Sequence, residues 1–378
     1  MKKTKTNYTV NFALMYLFHY ISFSLISGQR QTFLIHVGYT LNQRSLIFTF
    51  IPVVTISMQL LIGYLSDKHK TIKKIIVWVV GLGAITSYFF YSVEVQFYVF
   101  HFAIALLSQS FCIAITDLID VWVLESQGNS RSRFGFIRAF GSAGWSVGGF
   151  LLATIVSNYG YPGLGMFTLL INVILLLVMI TIEGGKAQID MEETREAIKF
   201  KDIATLFHDK HYVLAISIVF FVNMAKNMMA YMIIDKMIFL GGDVVIIGYR
   251  EMIAAGIEIP LMLIGDRIHK KLGSMKMLTI GIGAYILQLF GYYMATSNNM
   301  IIVITLFQIV SVPFYQIALR YLLLEMSPAH LKTTGQMTGP AIVNGITGVA
   351  YPMFCALLVA IFSVNAPFFL AAPVAVIG

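Results

Sequence analysis

The chain has 378 residues, of which 58% are hydrophobic and 12% are charged, and its mean hydropathy is +0.80. Soluble proteins carry about 25% charged residues, so this composition excludes a soluble globular protein and indicates an integral membrane protein. In a soluble protein the formal net charge of +8 would suggest a nucleic-acid partner. In a membrane protein the basic residues first indicate which loops face the cytoplasm.

Apolar runs recur along the chain at about 20 residues, the length of a membrane-spanning helix, and they do not alternate like barrel strands. The sequence therefore predicts an all-α membrane protein. Its basic, apolar start is predicted to be the first span and not a cleaved signal peptide, since the run reaches Ile26 without a cleavage pattern. We predict spans at 8–28, 45–66, 75–93, 96–124, 135–158, 162–182, 211–234, 244–264, 277–295, 299–324, 337–361 and 365–378. The last is short, so the final helix is either truncated or ends early.

One long polar segment, from Glu183 to Lys210, separates the first six predicted spans from the last six. We predict an N-terminal half over 1–183, a cytoplasmic loop over 184–210 and a C-terminal half over 211–378. Within the loop, 191–207 is predicted to be an amphipathic helix on the membrane surface or a solvated linker. A weak repeat, Gly63 to Lys68 after the second span and Leu263 to Arg267 after the eighth, indicates a duplicated transporter.

The basic residues indicate the orientation of the chain. The connections on the amino-terminal side hold 20 of the 26 Lys and Arg residues, against three on the other side, namely Arg30, Arg44 and Lys236. The positive-inside rule therefore predicts a cell-membrane protein, multi-pass in the inner or plasma membrane, with both termini cytoplasmic.

The repeated loops are candidates for a cytoplasmic gate. Gly63 would allow close approach of two helices, and Asp67 would cap the next helix or pair with a base across the gate. Lys68, Asp266 and Arg267 complete this predicted gate. The alternative is that these basic loops serve topology alone.

Ionisable residues within the predicted hydrocarbon are costly and mark functional positions. Nine are present: Asp117, Asp120, Arg138, Lys226, Asp235, Arg250, Glu251, Glu258 and Arg320. For Asp235, Arg250 and Arg320, near span ends, snorkelling to the interface is an alternative explanation.

Asp120 and Arg138 lie nine residues either side of Asn129, so an antiparallel helical hairpin places them at one depth. A carboxylate accepts hydroxyl protons and a guanidinium donates in a fixed fork, a combination that suits a polyhydroxylated ligand. Trp145, two helical turns after Arg138, is predicted to stack on a sugar or base, or else to pack. Asp117, Tyr20, Gln109 and Asn227 are predicted to line the same cavity. Further polar candidates for this lining are Tyr16, His19, Asn223, Gln288, Gln308 and Asn344.

Two sets of small residues are assigned to packing. Gly141, Gly144, Gly148 and Gly149 form a predicted close helix-packing face. Cys112 and Cys355 lie inside apolar runs of different halves, which predicts packing residues and neither a disulfide nor a metal site.

Glu258 is predicted near the membrane midplane, eight residues before Asp266. A carboxylate there favours its protonated form unless it pairs with a cation, so Glu258 is the first candidate for proton coupling. The alternative is a structural ion pair with Lys226 or Arg250. Asp235 and Glu251 are further candidates for the proton carrier, and uncoupled transport remains open.

No nucleophile elbow, metal-ligand cluster or phosphate loop is present in the sequence. We therefore predict no enzyme activity, no catalytic residue, no cofactor and no metal. We expect no receptor function, since a receptor would carry a signalling domain.

The residues resemble a known family. GYLSDKHKTIKK resembles the loop signature of the major facilitator superfamily, and RFGFIRAFGSAGW resembles its lactose permease and nucleoside:proton symporter branch. The resemblance implies twelve transmembrane helices in two six-helix halves, with the substrate site between them. Asp120, Arg138 and Trp145 match the galactoside-binding pattern of the permease, with Asp in place of Glu. Glu258 matches an acidic position of the branch.

The resemblance departs where the permease couples to protons. Gln308 and Ser311 stand where it has a His and a Glu, and Gln288 stands where it has an arginine. The coupling mechanism of the permease is therefore not carried over.

Together these features predict a secondary active transporter that works by alternating access. The expected activity is proton-coupled uptake of a sugar or short oligosaccharide. The alternatives are a nucleoside or aromatic-acid proton symporter and a multidrug exporter. The expected partners are the small polar solute, protons and the lipid bilayer, with no nucleic acid, and the protein is expected to function as a monomer.

Overall fold

The secondary structure of the computed structural model is helical. The structure describes residues 8–69, 71–126, 130, 133–182, 208–326 and 332–377. The predicted amphipathic segment over 191–207, the hairpin turn around Asn129 and most of the central loop lie outside the described residues.

The helices follow the predicted spans in order. In the first part of the chain they are α1 (Thr9–Gly28), α2 (Arg30–His36), α3 (Leu41–His69), α4 (Ile72–Ser92), α5 (Tyr98–Glu125) and α6 (Phe134–Thr181). The second part contains α7 (Lys210–Phe239), α8 (Val244–Leu272), α9 (Ser274–Met294), α10 (Asn298–Thr305), α11 (Gln308–Met326), α12 (Lys332–Ile361) and α13 (Ala366–Ile377). Eight described segments are long and apolar enough to cross a membrane, and the α10–α11 pair, bent by 41°, can be a ninth.

Three helices differ from the predicted spans in a way that local chemistry explains. The first span continues beyond Gly28 as α2, after Gln29 departs from helical geometry with φ −115° and ψ 5°. Two predicted spans are joined as α6, where Gly160 adopts φ 64°, a conformation open to glycine, two residues before Pro162. The final helix α13 has 12 residues, too few for a full crossing at about 20 residues.

The chain forms two compact units. The first comprises Met1–Ile189 with Asp243–Gly256, and the second comprises Asp190–Gly242 with Ile257–Gly378. The first part of α8 therefore packs with the first unit, although the predicted division placed the whole helix in the C-terminal half.

Within the first unit, α1 packs closely along α6 through glycines. A Cβ atom at Gly148 would lie 2.6 Å from the Ser24 Cβ, and one at Gly144 would meet the Leu17 carbonyl oxygen. Gly149 faces Met252 in the first part of α8. These contacts confirm the predicted packing role of the glycines, because only a missing side chain permits such an approach.

The three cations assigned to the outer loops are all buried. Arg30 is 3% exposed, Arg44 5% and Lys236 1%. Lys236 donates to the Tyr292 and Tyr293 carbonyl oxygens at the end of α9, the second at 2.9 Å. Cations at a helix C-terminus satisfy carbonyl groups that lack helical partners, which gives Lys236 a structural role.

Arg250 is likewise buried, at 6% exposure, and pairs with the neighbouring Glu251. The buried position of Arg250 does not fit the alternative explanation that this side chain snorkels to the interface.

Candidate functional site

The two opposite charges of the predicted hairpin meet at one tyrosine of α1. The Tyr16 hydroxyl donates to Asp120 Oδ1 on α5, and the Arg138 guanidinium carbon on α6 lies 5.6 Å from the centroid of the Tyr16 ring. Asp120 and Arg138 thus lie at the same level of the first unit. Tyr16 itself is fully buried, so its position is fixed by packing.

Arg138 is held over two parallel rings. Its guanidinium carbon lies 4.8 Å from the centroid of Tyr20, and the Tyr16 and Tyr20 rings are 6.2 Å apart with an interplanar angle of 9°. A guanidinium over an aromatic face is attracted by the ring quadrupole while its edge keeps donors for other groups. Gly141 leaves room for this arrangement, since a Cβ there would lie 3.0 Å from the Tyr20 ring and 3.1 Å from Arg138.

Trp145 lies next to the same aromatic series. Its ring meets Phe23 edge-on, with centroids 5.3 Å apart at 74°, and Phe23 in turn lies 6.0 Å from Tyr20. The described contacts of Trp145 are therefore with an aromatic neighbour, which leaves both stacking on a ligand and packing as interpretations.

The other predicted polar residues of this unit have specific partners. Asp117 Oδ2 accepts from Gln59 on α3 at 2.5 Å. Gln109 accepts from Ser27 at 2.9 Å and from Arg30, which also lies 5.8 Å from the Phe48 ring centroid.

His19 bonds the Thr116 hydroxyl at 2.8 Å, and Thr116 donates to the Cys112 carbonyl oxygen. The sequence did not predict that Gln59 contacts Asp117 or that Arg30 contacts Gln109, because both contacts join residues that are far apart in sequence.

In the second unit, Glu258 accepts a hydrogen bond from Gln308 Nε2 at 2.7 Å. The half-buried Lys226 interacts electrostatically with the same carboxylate. Glu258 on α8 is therefore bound by an amide donor on α11 and lies within electrostatic reach of a cation on α7.

Glu251 and Asp235 are placed differently from Glu258. Glu251 pairs with Arg250 in the part of α8 that packs in the first unit. Asp235 is half-buried near the end of α7, within electrostatic reach of Cys355.

The amides of the second unit form short chains. Asn227 lies 3.5 Å from the Thr347 hydroxyl, and Asn223 donates to Asn344 at 2.8 Å while accepting from Tyr315 at 3.2 Å.

Two of the three residues at the permease's coupling positions, Ser311 and Gln288, belong to a second hydrogen-bonded chain. Ser311 donates to Gln288 at 3.3 Å, and Gln288 donates to the Tyr292 hydroxyl at 3.0 Å. These groups satisfy one another as neutral donors and acceptors.

The predicted gate is described in part. Gly63 lies in α3, where a Cβ would meet no atom within 4 Å, so the expected close helix approach is not seen there. Arg267 is exposed at the end of α8. The side chains of Asp67, Lys68 and Asp266 lie outside the described part of the structure. Across the residues that are described, no group of three or more His, Cys, Asp and Glu could hold a metal ion.

Comparison with known proteins agrees with this architecture. The model of the MFS_1 like family matches residues 9–351. The uncharacterized transporter YwbF of Bacillus subtilis (strain 168) is 26% identical over 311 residues, which cover 80% of this chain and 74% of that protein.

Solved structures resemble the chain over its whole length. The nucleoside transporter NupG has a TM-score of 0.80 at 14% identity, covering 98% of this chain and 97% of that chain. The D-xylose-proton symporter has a TM-score of 0.70 at 15% identity, covering 98% and 95%. At such identities the likeness shows the fold, which is that of the major facilitator superfamily, as the sequence resemblance implied.

Proposed function

Because the chain belongs to the MFS_1-like family and is a membrane transporter, not an enzyme, we propose that it takes up a sugar or short oligosaccharide together with protons. The observation that carries this proposal is the seating of Asp120 and Arg138 around Tyr16. Both charged groups lie at one level of the first unit, within predicted membrane spans, where ionisable residues mark functional positions.

The chemistry of these groups fits a hydroxylated ring. Asp120 accepts hydroxyl protons with the acceptor positions that Tyr16 leaves, and the edge of Arg138 donates to hydroxyl or ring oxygens. The rings of Tyr20, Phe23 and Trp145 offer apolar faces for the carbon side of a sugar.

A nucleoside is the second candidate substrate. The observation that favours it is the continuous series of aromatic contacts from Tyr16 through Tyr20 and Phe23 to Trp145, since a flat base stacks on such rings. The NupG structure of the same fold is a nucleoside transporter. A sugar and a nucleoside share the hydroxyl groups that Asp120 would bind.

For the coupling step we propose Glu258 as the proton carrier. Gln308 donates to it and Lys226 acts on it electrostatically, so the carboxylate alternates between a protonated form and a form balanced by the cation. Glu251 is the less favourable candidate, because its described contact is an ion pair with the neighbouring Arg250, whereas that of Glu258 is an amide donor. We further propose that both termini face the cytoplasm and that alternating access proceeds around this site.

The test is uptake of labelled sugars and nucleosides into proteoliposomes, with and without an imposed inward proton gradient. The native chain is compared with Arg138→Ala, Glu258→Gln and Glu251→Gln. Arg133→Ala is the matched control, because Arg133 is an exposed arginine five residues before Arg138.

We expect the gradient to drive accumulation of one sugar in the native chain and in Arg133→Ala. Arg138→Ala should abolish both accumulation and exchange, whereas Glu258→Gln should abolish accumulation and retain exchange. Accumulation in Glu258→Gln would place the proton carrier elsewhere. If no sugar or nucleoside moves and Arg138→Ala changes nothing, the substrate proposal is wrong, and export of apolar compounds becomes the leading function.

A further inference from the structure

We propose that Tyr16 is a positioning residue that fixes the direction in which Asp120 presents its carboxylate, and thereby sets which substrate hydroxyls the transporter accepts. This inference rests on the proposed function, because it concerns selectivity at the same site.

The Tyr16 ring cannot turn away from Asp120. The side chain is fully buried and packs in a core with Phe12, Trp122 and Ile119. The Tyr16 hydroxyl is therefore kept in its hydrogen bond to Oδ1 of Asp120. A carboxylate offers about four acceptor positions on its two oxygens, so the phenol uses one and defines the plane of the others.

The same tyrosine lies between two opposite charges. Arg138 approaches the face of the ring, at 5.6 Å from its centroid, while Asp120 is bound at the hydroxyl. Opposite charges attract strongly where the dielectric constant is low. Loss of the hydroxyl would therefore release Asp120 to turn toward Arg138 and pair with it. In that pair each group would satisfy the other and be less available to a substrate.

The hydroxyl of Tyr16 thus keeps a carboxylate and a guanidinium apart and ready for the substrate. A substrate hydroxyl must approach Asp120 from the side that Tyr16 leaves open. Epimers that present the hydroxyl from another direction should be rejected, because a misdirected polar contact leaves a buried group unsatisfied.

The experiment compares Tyr16→Phe with Tyr91→Phe. Tyr91 is the matched control, since it is also fully buried in the first unit but donates to the Ile26 carbonyl oxygen at 2.6 Å. In proteoliposomes, the half-saturating concentration and maximal rate are measured for the transported sugar and for its epimers.

We expect Tyr16→Phe to raise the half-saturating concentration about tenfold, the scale of a hydrogen bond to a charged group, and to lower the preference for the sugar over its epimers. Tyr91→Phe should leave that preference unchanged. In an Asp120→Ala background, which removes the acceptor of the Tyr16 hydroxyl, Tyr16→Phe should have no further effect on the half-saturating concentration, because the two residues act as one unit.

Three results would overturn the inference: an unchanged preference in Tyr16→Phe, equal effects of the two Phe variants, or additive effects of Tyr16→Phe and Asp120→Ala. If Tyr16→Phe yields no folded protein, fluorotyrosine at position 16 keeps the ring and alters the donor strength. It should shift the preference relative to fluorotyrosine at position 91, and no shift would also overturn the inference.

The failure of this inference is distinguishable from that of the proposed function. A native chain that moves neither sugars nor nucleosides refutes the function and the inference with it. A native chain that moves the sugar, with preference independent of Tyr16, refutes the inference alone.

Discussion

The guanidinium carbon of Arg138 lies 4.8 Å from the centroid of the Tyr20 ring, so an aromatic face supports the cation in the first unit. An arginine seated in this way keeps its charge out of hydrocarbon and keeps its donors in one plane. The sequence predicted both residues as substrate-binding groups, and the structure shows that the Tyr20 ring supports the Arg138 guanidinium.

This contact predicts different outcomes for two substitutions of Tyr20. Tyr20→Phe keeps the ring face and should change the half-saturating substrate concentration by less than about threefold, whereas Tyr20→Leu should raise it about tenfold or more, the scale of a desolvated cation–π contact. Transport kinetics in proteoliposomes provide the measurement. Equal effects of Phe and Leu would show that the ring does not support Arg138.

The packing of α1 against α6 predicts that Gly148 does not tolerate a side chain. Gly148→Ala would place a Cβ 2.6 Å from that of Ser24 and 2.9 Å from the Ile21 carbonyl oxygen, so the two helices must separate. We expect a thermal unfolding temperature several degrees lower in detergent, with loss of about 1–3 kcal/mol from overpacking. Gly63→Ala is the control, because its Cβ meets open space. A stable Gly148→Ala protein would contradict the close approach.

Lys236 is predicted to stabilise the second unit. Its ammonium donates to the Tyr292 and Tyr293 carbonyl oxygens and lies 5.7 Å from the centroid of Phe368. Lys236→Met should cost about 1–3 kcal/mol, because the carbonyl groups lose buried donors. Thermal unfolding of this variant is compared with that of Lys271→Met, which alters an exposed lysine. Equal unfolding temperatures for the two variants would contradict the structural role.

The predicted orientation is tested by cysteine labelling in intact cells. Cys112 and Cys355 are buried, at 2% and 0% exposure, so they give little background with a membrane-impermeant maleimide. Val95→Cys, on the exposed connection between α4 and α5, should be labelled from outside. Lys271→Cys, at an exposed position in the last turn of α8, should be labelled only after permeabilisation. The reverse pattern would place both termini outside.

The sequence was sufficient for the class of fold and for much of the candidate site. Hydropathy and charge are properties of single residues, and they determine where each residue lies along the membrane normal. The spans can therefore be predicted from the sequence alone. The depth of a residue along a helix is also linear in sequence. For this reason Asp120 and Arg138 could be placed at one level before their contacts with Tyr16 were seen.

Which neighbours each residue meets around the helix axis was decided by the tertiary structure. Tyr16, over a hundred residues before Asp120, binds that carboxylate because the packing of α1 against other helices of the first unit turns this face toward α5. Gln308 reaches Glu258 across 50 residues for a similar reason. Lys236 could be counted as a loop cation from the sequence, yet it is buried against the end of α9. Such contacts depend on how each helix is rotated about its axis and packed. A hydropathy average over a span contains no information on that rotation, so only the folded bundle determines the contacts.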